Sequence, residues 1–375
     1  MINRLLKNQI IQSFGKKKVA ILLGPRQVGK TILAKAVSDQ SGMKTLWLNG
    51  DEPDIRELLT NATSTRLKNI IGKHELVVID EAQRITNIGL TLKLIIDEIP
   101  SVQIFATGSS SFELANKINE PLTGRKNTFY LYTISFQELY DYSNLLEEQR
   151  NLEHRMIYGS YPDVINNSGD EINVLAQLSD SYLYKDIFTF DKLKKPDILE
   201  KLLQAIALQL GQQVSYNELG KLIGADNQTV EKYIYLLEKT YVIFRLGSFS
   251  RSLRNELKKS RKIYFFDNGI RNAIIKNYRP LALRTDTGAL WENYLLSERV
   301  KTNHYSRRWM NKYFWRTQAQ QEIDYIEERD GNLYAYKFKW NPAKNIRFPA
   351  TFSKAYPEAK LQVISRDNYS EWIQG

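Results

Sequence analysis

The chain has no cysteine, which excludes disulfides, thiolate metal sites and a cysteine nucleophile. Histidine is scarce: His74, His154 and His304 stand far apart and give no metal-ligand spacing. No apolar run reaches the roughly 20 residues that a membrane span needs. Met1–Phe14 is amphipathic and polar rather than continuously apolar, so it does not read as a secretory signal. A cytoplasmic protein with no membrane partner is the expectation. Acidic residues are outnumbered, 42 against 53 Lys+Arg, for a net charge of +11. That excess suits an anionic partner such as nucleic acid. At 375 residues and 42% hydrophobic, the chain has material for two or three domains with substantial cores.

What is present begins early. Val19-Ala20-Ile21-Leu22-Leu23 reads as a buried strand and Ile32–Val37 as a helix. Between them stands Gly24-Pro25-Arg26-Gln27-Val28-Gly29-Lys30-Thr31. Strand, glycine loop, Lys-Thr, helix is the context that a phosphate-binding P-loop requires. The backbone N–H groups of such a loop face an anion, and the helix N-terminus adds partial positive charge. Gly24–Thr31 is therefore the candidate nucleotide-binding segment. Lys30 is placed for the β- and γ-phosphates of ATP, and Thr31 for a hydroxyl on Mg²⁺.

Leu76-Val77-Val78-Ile79 is a continuous apolar run ending in Asp80-Glu81. It reads as a strand buried on both faces with the Walker B pair at its end. Asp80 is the candidate metal-side carboxylate, and Glu81 is placed to polarise the attacking water. Carboxylates directly after four buried aliphatics are poorly explained by packing alone. Val102–Ala106 is a further strand, followed by Thr107-Gly108-Ser109-Ser110-Ser111. Ligands of doubly wound sheets sit beyond the C-terminal strand ends. Ser109 is thus the first candidate for a sensor of phosphate or water and Thr107 the second, the alternative being caps for a helix over Phe112–Ile118. Arg125, before the strand Thr128–Tyr132, is read either as a charge-stabilising finger, in cis or from a neighbouring subunit, or as a surface arginine.

Gly24–Thr31, Leu76–Arg84, Ala106–Ser110 and Leu122–Arg125, extended by Phe136–Leu139 and Gly159–Pro162, resemble a prokaryotic family of AAA-superfamily ATPases with a C-terminal domain of unknown function. The resemblance runs through most of the chain. It implies an α/β fold with an AAA-type P-loop core and ATP hydrolysis with Mg²⁺, and it favours Ser109 as sensor and Arg125 as finger. It implies no biological role.

Four segments are expected: an ATPase core over 1–134, a helical lid or connector over 135–210, a winged helix over 211–285 and an α/β domain over 286–375. In the third, a short helix capped by Ser215 precedes a helix over Gln228–Lys239 capped by Asp226. Thr229, Lys232, Tyr233 and Lys239 are left for its outer face. Two strands, Tyr241–Leu246 and Lys262–Phe266, would form the wing. Residues 206–285 hold 14 Lys+Arg against 6 Asp+Glu, and Arg251, Arg254, Lys258, Lys259, Arg261 and Lys262 crowd the expected wing. Duplex DNA is the expected partner. The alternative is a nucleotide-driven switch on protein partners, or a homo-oligomer. In the last segment, Glu292, Asp324 and Lys339 in that order resemble a restriction-endonuclease-like fold. Where that fold carries a carboxylate two residues before the lysine, this chain has Lys337. A cation there disfavours metal binding, so a scaffold without hydrolysis is expected.

Overall fold

The computed structural model describes residues 2–108, 121–180, 196–249, 261–341 and 346–375. They form two units, Met1–Ile134 and Ser135–Gly375.

The first unit is built on a five-stranded parallel sheet: β1 (Val19–Leu23), β2 (Thr45–Asn49), β3 (Leu76–Asp80), β4 (Gln103–Gly108) and β5 (Lys126–Tyr130). Their order is β2-β3-β4-β1-β5. The three inner strands, VAILL, LVVID and QIFATG, are buried along their whole length. That is why they read as unbroken runs rather than as alternations. The edge strands carry the half-exposed Lys126, Thr45 and Leu46. Parallel strands need helical crossovers. Those described are Lys30–Ser41, Pro53–Leu59, Ser64–Ile71 and Ile88–Glu98. Leu59, Leu67, Ile71, Ile88, Leu92 and Ile95 from them pack with Ile21, Val77 and Ile79 of the sheet. The helix expected over Phe112–Ile118 lies outside the described residues.

The topology puts β4 between β1 and β3, with Leu22 opposite Thr107 and Ile79 opposite Ala106. The C-terminal ends of the P-loop strand, of β4 and of the Asp80 strand are thereby neighbours. A site at this edge needs no long-range coincidence; it follows from strand order.

In the second unit β6 (Gln213–Val214), β7 (Ile243–Ser248), β8 (Arg261–Phe265), β9 (Asn311–Arg316), β10 (Glu322–Arg329), β11 (Asn332–Phe338) and β12 (Lys360–Ile364) make one sheet, ordered β12-β11-β10-β9-β7-β8-β6. Gly247 and Ser248 pair in parallel with Tyr313 and Phe314, so strands from either side of residue 285 share this sheet. β12, which the sequence reading did not separate from its surroundings, pairs in parallel with β11. The helix expected over Gly288–Leu295 continues to Tyr305.

Residues 135–210 are stitched to later parts of the same unit. Phe136 N–H donates to Glu298 (2.7 Å), and Asn272 Nδ2 donates to the Ile157 carbonyl (2.8 Å). The Gly159-Ser160 turn has a concrete reason. Ser160 N–H donates to the buried Asp267 carboxylate at 2.8 Å, and any side chain on Gly159 would collide with that carboxylate. Among the described residues no helix is long and apolar enough to cross a membrane.

Candidate nucleotide site and a buried carboxylate cluster

The loop Gly24–Gly29 leaves β1 and feeds a helix that starts at Lys30. Gly24 passes so close to the next segment that a Cβ there would lie 2.2 Å from the Leu131 carbonyl oxygen. Gly29 turns in the left-handed region, φ 90°, which glycine adopts without steric cost. Arg4, distant in sequence, fixes the loop from below: Nη1 donates to the Val28 carbonyl (2.8 Å) and Nη2 to that of Tyr132 (2.6 Å). Sequence reasoning missed this residue, because a lone arginine just before the helix Leu6–Ile11 gives no signal. With the Val28 carbonyl drawn to Arg4, the following peptide N–H is held in a set direction.

Lys30 is 5% exposed, and its Nζ donates to the loop carbonyls of Pro25 (2.7 Å) and Gly24 (3.1 Å). Thr31 Oγ1 donates to Asp80 Oδ2 at 2.8 Å. The other Asp80 oxygen accepts a short bond from Thr107 Oγ1. Thr107 Oγ1 in turn accepts from Glu81 N–H at 3.2 Å. A single buried hydroxyl thus orients both residues of the Walker B pair. Glu81 sits at φ 50°, a strained setting for a side-chain-bearing residue, and its Oε2 accepts from Gln83 Nε2 at 2.5 Å. Gln83 was also missed, although its place two residues after Glu81 was available as a signal.

Lys30, Thr31, Asp80, Glu81 and Thr107 are therefore brought together at one edge. Ser109, the first sensor candidate, lies outside the described residues. Arg125 is not brought to the loop. Its carbonyl accepts from Val19 N–H (2.9 Å) at the start of β1, whereas the loop leaves the strand's other end, about 13 Å away by strand rise. Its guanidinium pairs with Asp97 at 3.3 Å, with 45% of the side chain exposed. The reading of Arg125 as a finger in cis is corrected by this placement: β5 runs parallel to β1, so its first residues lie at the far end of the sheet.

Mg²⁺ suits these residues. It is a hard cation held by few protein oxygens, the rest coming from water and phosphates. Thr31 and Asp80 offer one hydroxyl and one carboxylate at hydrogen-bonding distance.

A second cluster lies within the other unit. Glu292 and Asp324 lie close enough for the charge of one to act on the other, and three residues that the sequence reading did not place there join them. The Lys262 ammonium, 2% exposed, contacts Glu292 at 3.0 Å and Glu322 at 2.5 Å, and Tyr264 OH donates a short bond to Glu292. Burial works against the ammonium, yet Glu292, Glu322 and Asp324 outweigh it and raise its pKa above the ordinary lysine range. Burial and then the Glu292 charge push the Asp324 carboxyl up to about 7, against the opposing effects of Phe338 N–H (2.7 Å), Lys262 and Lys339. Lys337 turns elsewhere, donating to the Arg347 carbonyl at 3.3 Å. Glu322 stands two residues before Asp324 on β10, a period-2 signal that sequence reading left unused.

The basic count of 206–285 also changes meaning. Lys262 is internal, Arg245 pairs with Glu238, and the buried Arg271 and Arg284 share Asp286. Arg261 donates to Tyr216 OH at 2.8 Å. Arg251, Arg254, Lys258 and Lys259 lie outside the described residues. On the helix Asn227–Lys239, Tyr233 is 5% exposed and belongs to the core, so it is not on the outer face; Tyr235, at 42%, is exposed instead. Asp226 caps this helix, accepting from Thr229 N–H at 2.8 Å, whereas Ser215 makes no side-chain cap bond on its own helix.

A parallel sheet with a glycine loop, Lys-Thr helix start and Asp-Glu strand end is the arrangement of a P-loop fold. Residues 16–140 match the model of an AAA domain, residues 149–280 that of a domain of unknown function (DUF8612) and residues 287–374 that of another domain of unknown function (DUF4143). It is similar to an uncharacterized protein of Mycobacterium tuberculosis, 24% identical over 339 residues, covering 88% of this chain and 71% of the relative. An uncharacterized protein of Methanocaldococcus jannaschii is 20% identical over 394 residues, covering 97% and 84%. Among solved structures, a Walker-type ATPase of Pyrococcus abyssi aligns with a TM-score of 0.48 and 14% identity, over 73% of this chain and 96% of its own.

Proposed function

We propose that the chain is a Mg²⁺-dependent ATPase. The observation that carries this is the hydrogen-bonded set Thr31–Asp80–Thr107–Glu81 beside the Lys30 loop. On binding ATP, the Lys30 ammonium exchanges two neutral carbonyls for phosphate oxygens. Pro25 has no backbone N–H to donate, so those of Gly24, Arg26, Gln27, Val28 and Gly29 form the cradle with the helix start. The Thr31 and Asp80 oxygens would hold Mg²⁺, which when bound would supply charge neutralisation at the transferring phosphoryl group. Thr107 keeps Asp80 from turning, and Gln83 steadies the Glu81 carboxylate that orients water. Positioning and electrostatics do the catalysis. Glu81→Gln is expected to retain ATP affinity within a few-fold and lose turnover; steady-state hydrolysis beside nucleotide binding checks it, and undiminished turnover refutes the assignment of Glu81.

For the output we infer association with duplex DNA through residues 196–265. Helix, short strand, two helices and a β-hairpin follow one another there, an order that supports a winged helix. Lys221 and Lys232 are exposed on the two central helices. Affinity for duplex DNA measured against salt, with DNA-stimulated ATP turnover, decides between this and a switch on protein partners. Absence of both effects favours the switch.

For the carboxylate cluster we infer a nuclease-like scaffold without hydrolysis. Lys262 supports it, since its ammonium already neutralises the carboxylates that a divalent metal would need. Metal-dependent cleavage of plasmid DNA, abolished by Asp324→Ala, would overturn that inference.

A further inference from the structure

The glycine loop is bent on both sides of one residue. Gln27 sits at φ 59° and Gly29 at φ 90°. Glycine adopts such a setting freely, whereas for glutamine it is strained. Strained backbone persists only where its surroundings over-determine it. Val28, between the two, is where that happens. Its side chain is fully buried, and its carbonyl accepts from Arg4 Nη1 at 2.8 Å.

Arg4 is itself fixed at both ends. Its own carbonyl accepts from Lys7 N–H at 3.0 Å, where the helix Leu6–Ile11 begins, and Leu6 and Ile10 bury that helix. At the other end, Nη2 donates to the Tyr132 carbonyl at 2.6 Å. Tyr132 belongs to a buried floor under the loop. Leu131 N–H donates to the Leu23 carbonyl at 2.8 Å, and the Leu131 carbonyl is the atom that leaves no room for a side chain on Gly24. The loop therefore rests on Leu131 at Gly24 and is tied to Tyr132 at Val28. The planar fork of a guanidinium suits two separate acceptors, which the compact ammonium of a lysine does not.

A trans peptide points its N–H opposite to its C=O. With the Val28 carbonyl drawn toward Arg4, the Gly29 N–H is turned the other way. In a loop of this kind the backbone N–H groups cradle the α- and β-phosphates, which ADP and ATP share. We propose that Arg4 is a positioning residue for nucleotide affinity: from the Tyr132 carbonyl it sets the Gly29 N–H for the α- and β-phosphates without touching them. This role rests on Gly24–Thr31 being a nucleotide loop. It strengthens ADP and ATP alike, and it leaves the chemical step to Thr31, Asp80 and Glu81. Such uniform binding lowers KM without raising kcat.

The test uses the full chain with Mg²⁺, titrated with fluorescent ADP and with a non-hydrolysable ATP analogue, beside steady-state ATP turnover. Arg4→Met replaces the fork by an apolar side chain. Both dissociation constants are expected to rise about tenfold, the scale of one hydrogen bond to a charged group. KM rises with them, and kcat at saturating ATP falls no more than about twofold. Arg4→Lys, which keeps a donor and the charge, recovers part of the affinity. Binding stoichiometry separates positioning from folding damage. It stays full if Arg4 positions the loop. A merely structural role lowers stoichiometry and kcat while the dissociation constants and KM stay at wild-type values, and that result overturns the proposal. So does a loss for the ATP analogue without one for ADP, which would place Arg4 at the γ-phosphate. If wild type binds ADP but hydrolyses no ATP, and Arg4→Met weakens ADP tenfold, the ATPase reading fails and the role of Arg4 stands.

Discussion

Lys30 and Lys262 are both buried lysines, 5% and 2% exposed, and they stand in opposite situations. Lys30 donates to neutral loop carbonyls. Exchanging those two carbonyls for phosphate oxygens would strengthen the bonds its ammonium donates. Lys262 is gripped by two carboxylates, with a third close enough to raise its pKa further. Any ligand there would have to displace full charges in a place where water does not compensate them. On the proposed function, the same side chain serves as a receptor in one unit and a plug in the other. What differs is the charge of the acceptors that the fold supplies.

The strongest way to break this comparison is to remove the plug. Lys262→Ala leaves Glu292 and Glu322 without their cation, and about 3–5 kcal/mol of stability should be lost, the usual result of breaking a buried pair from one side. Urea unfolding followed by tryptophan fluorescence reads it, since five of the six tryptophans lie in Ser135–Gly375. Adding Glu292→Gln and Glu322→Gln to Lys262→Met should restore much of the loss. A Lys262→Ala protein as stable as wild type would mean that the ammonium is dispensable and the contrast with Lys30 false.

Lys30→Ala should show the opposite signature. ATP turnover is expected to fall by about 10²–10³, the scale of losing one preorganised electrostatic contact to the reacting group. The unfolding midpoint should move less than for Lys262→Ala, because its bonds to the Gly24 and Pro25 carbonyls are worth about 1 kcal/mol each. A large stability loss with turnover retained would place Lys30 with Lys262 as a structural residue.

The two sites were not equally legible in sequence. The nucleotide edge depends on short contiguous signals at the ends of buried strands, and Lys30, Thr31, Asp80 and Glu81 meet because parallel strands bring their C-terminal ends together. Thr107 was visible for the same reason, as the last polar residue of β4. Arg4 was not, because its two acceptors are carbonyls 24 and 128 residues away, and backbone acceptors leave no trace in composition. Arg125 misled because nearness in sequence to a strand says nothing about which end of the sheet that strand presents. Lys262 misled more deeply. Counted as a wing cation, it is instead neutralised by partners 30 and 60 residues later in the chain, and formal charge cannot distinguish a solvated lysine from a paired one.

The pH dependence sharpens the same contrast with a smaller effect. The Asp324 carboxyl is raised in the folded chain to about 7 from 3.8, so the folded state holds that proton more tightly than the unfolded one. The stability it contributes is full below about pH 4 and is lost as pH rises through 7. Lys262 stays charged throughout, since its own shift is upward. Asp324→Asn keeps an oxygen for Phe338 N–H and removes the titration. Its urea midpoint should be flatter than wild type between pH 5 and 8, the range in which a proton bound at 7 is released; equal slopes would show that Asp324 does not titrate there.

The smallest effect is expected at Arg125, and it tests placement rather than strength. The Arg125–Asp97 pair is nearly half exposed, and pairs of that kind contribute about 0–1 kcal/mol. Arg125→Ala should therefore leave stability nearly unchanged. With its backbone at the start of β5, it should also leave the turnover of a single chain within about twofold. The measurement that matters is specific activity against protein concentration. In a chain acting alone, wild type and Arg125→Ala give the same flat line. If wild-type activity rises with concentration and that of Arg125→Ala does not, the arginine serves a neighbouring chain's nucleotide. The parallel run of β5 beside β1, which removes Arg125 from its own P-loop, would then be what frees it to reach another.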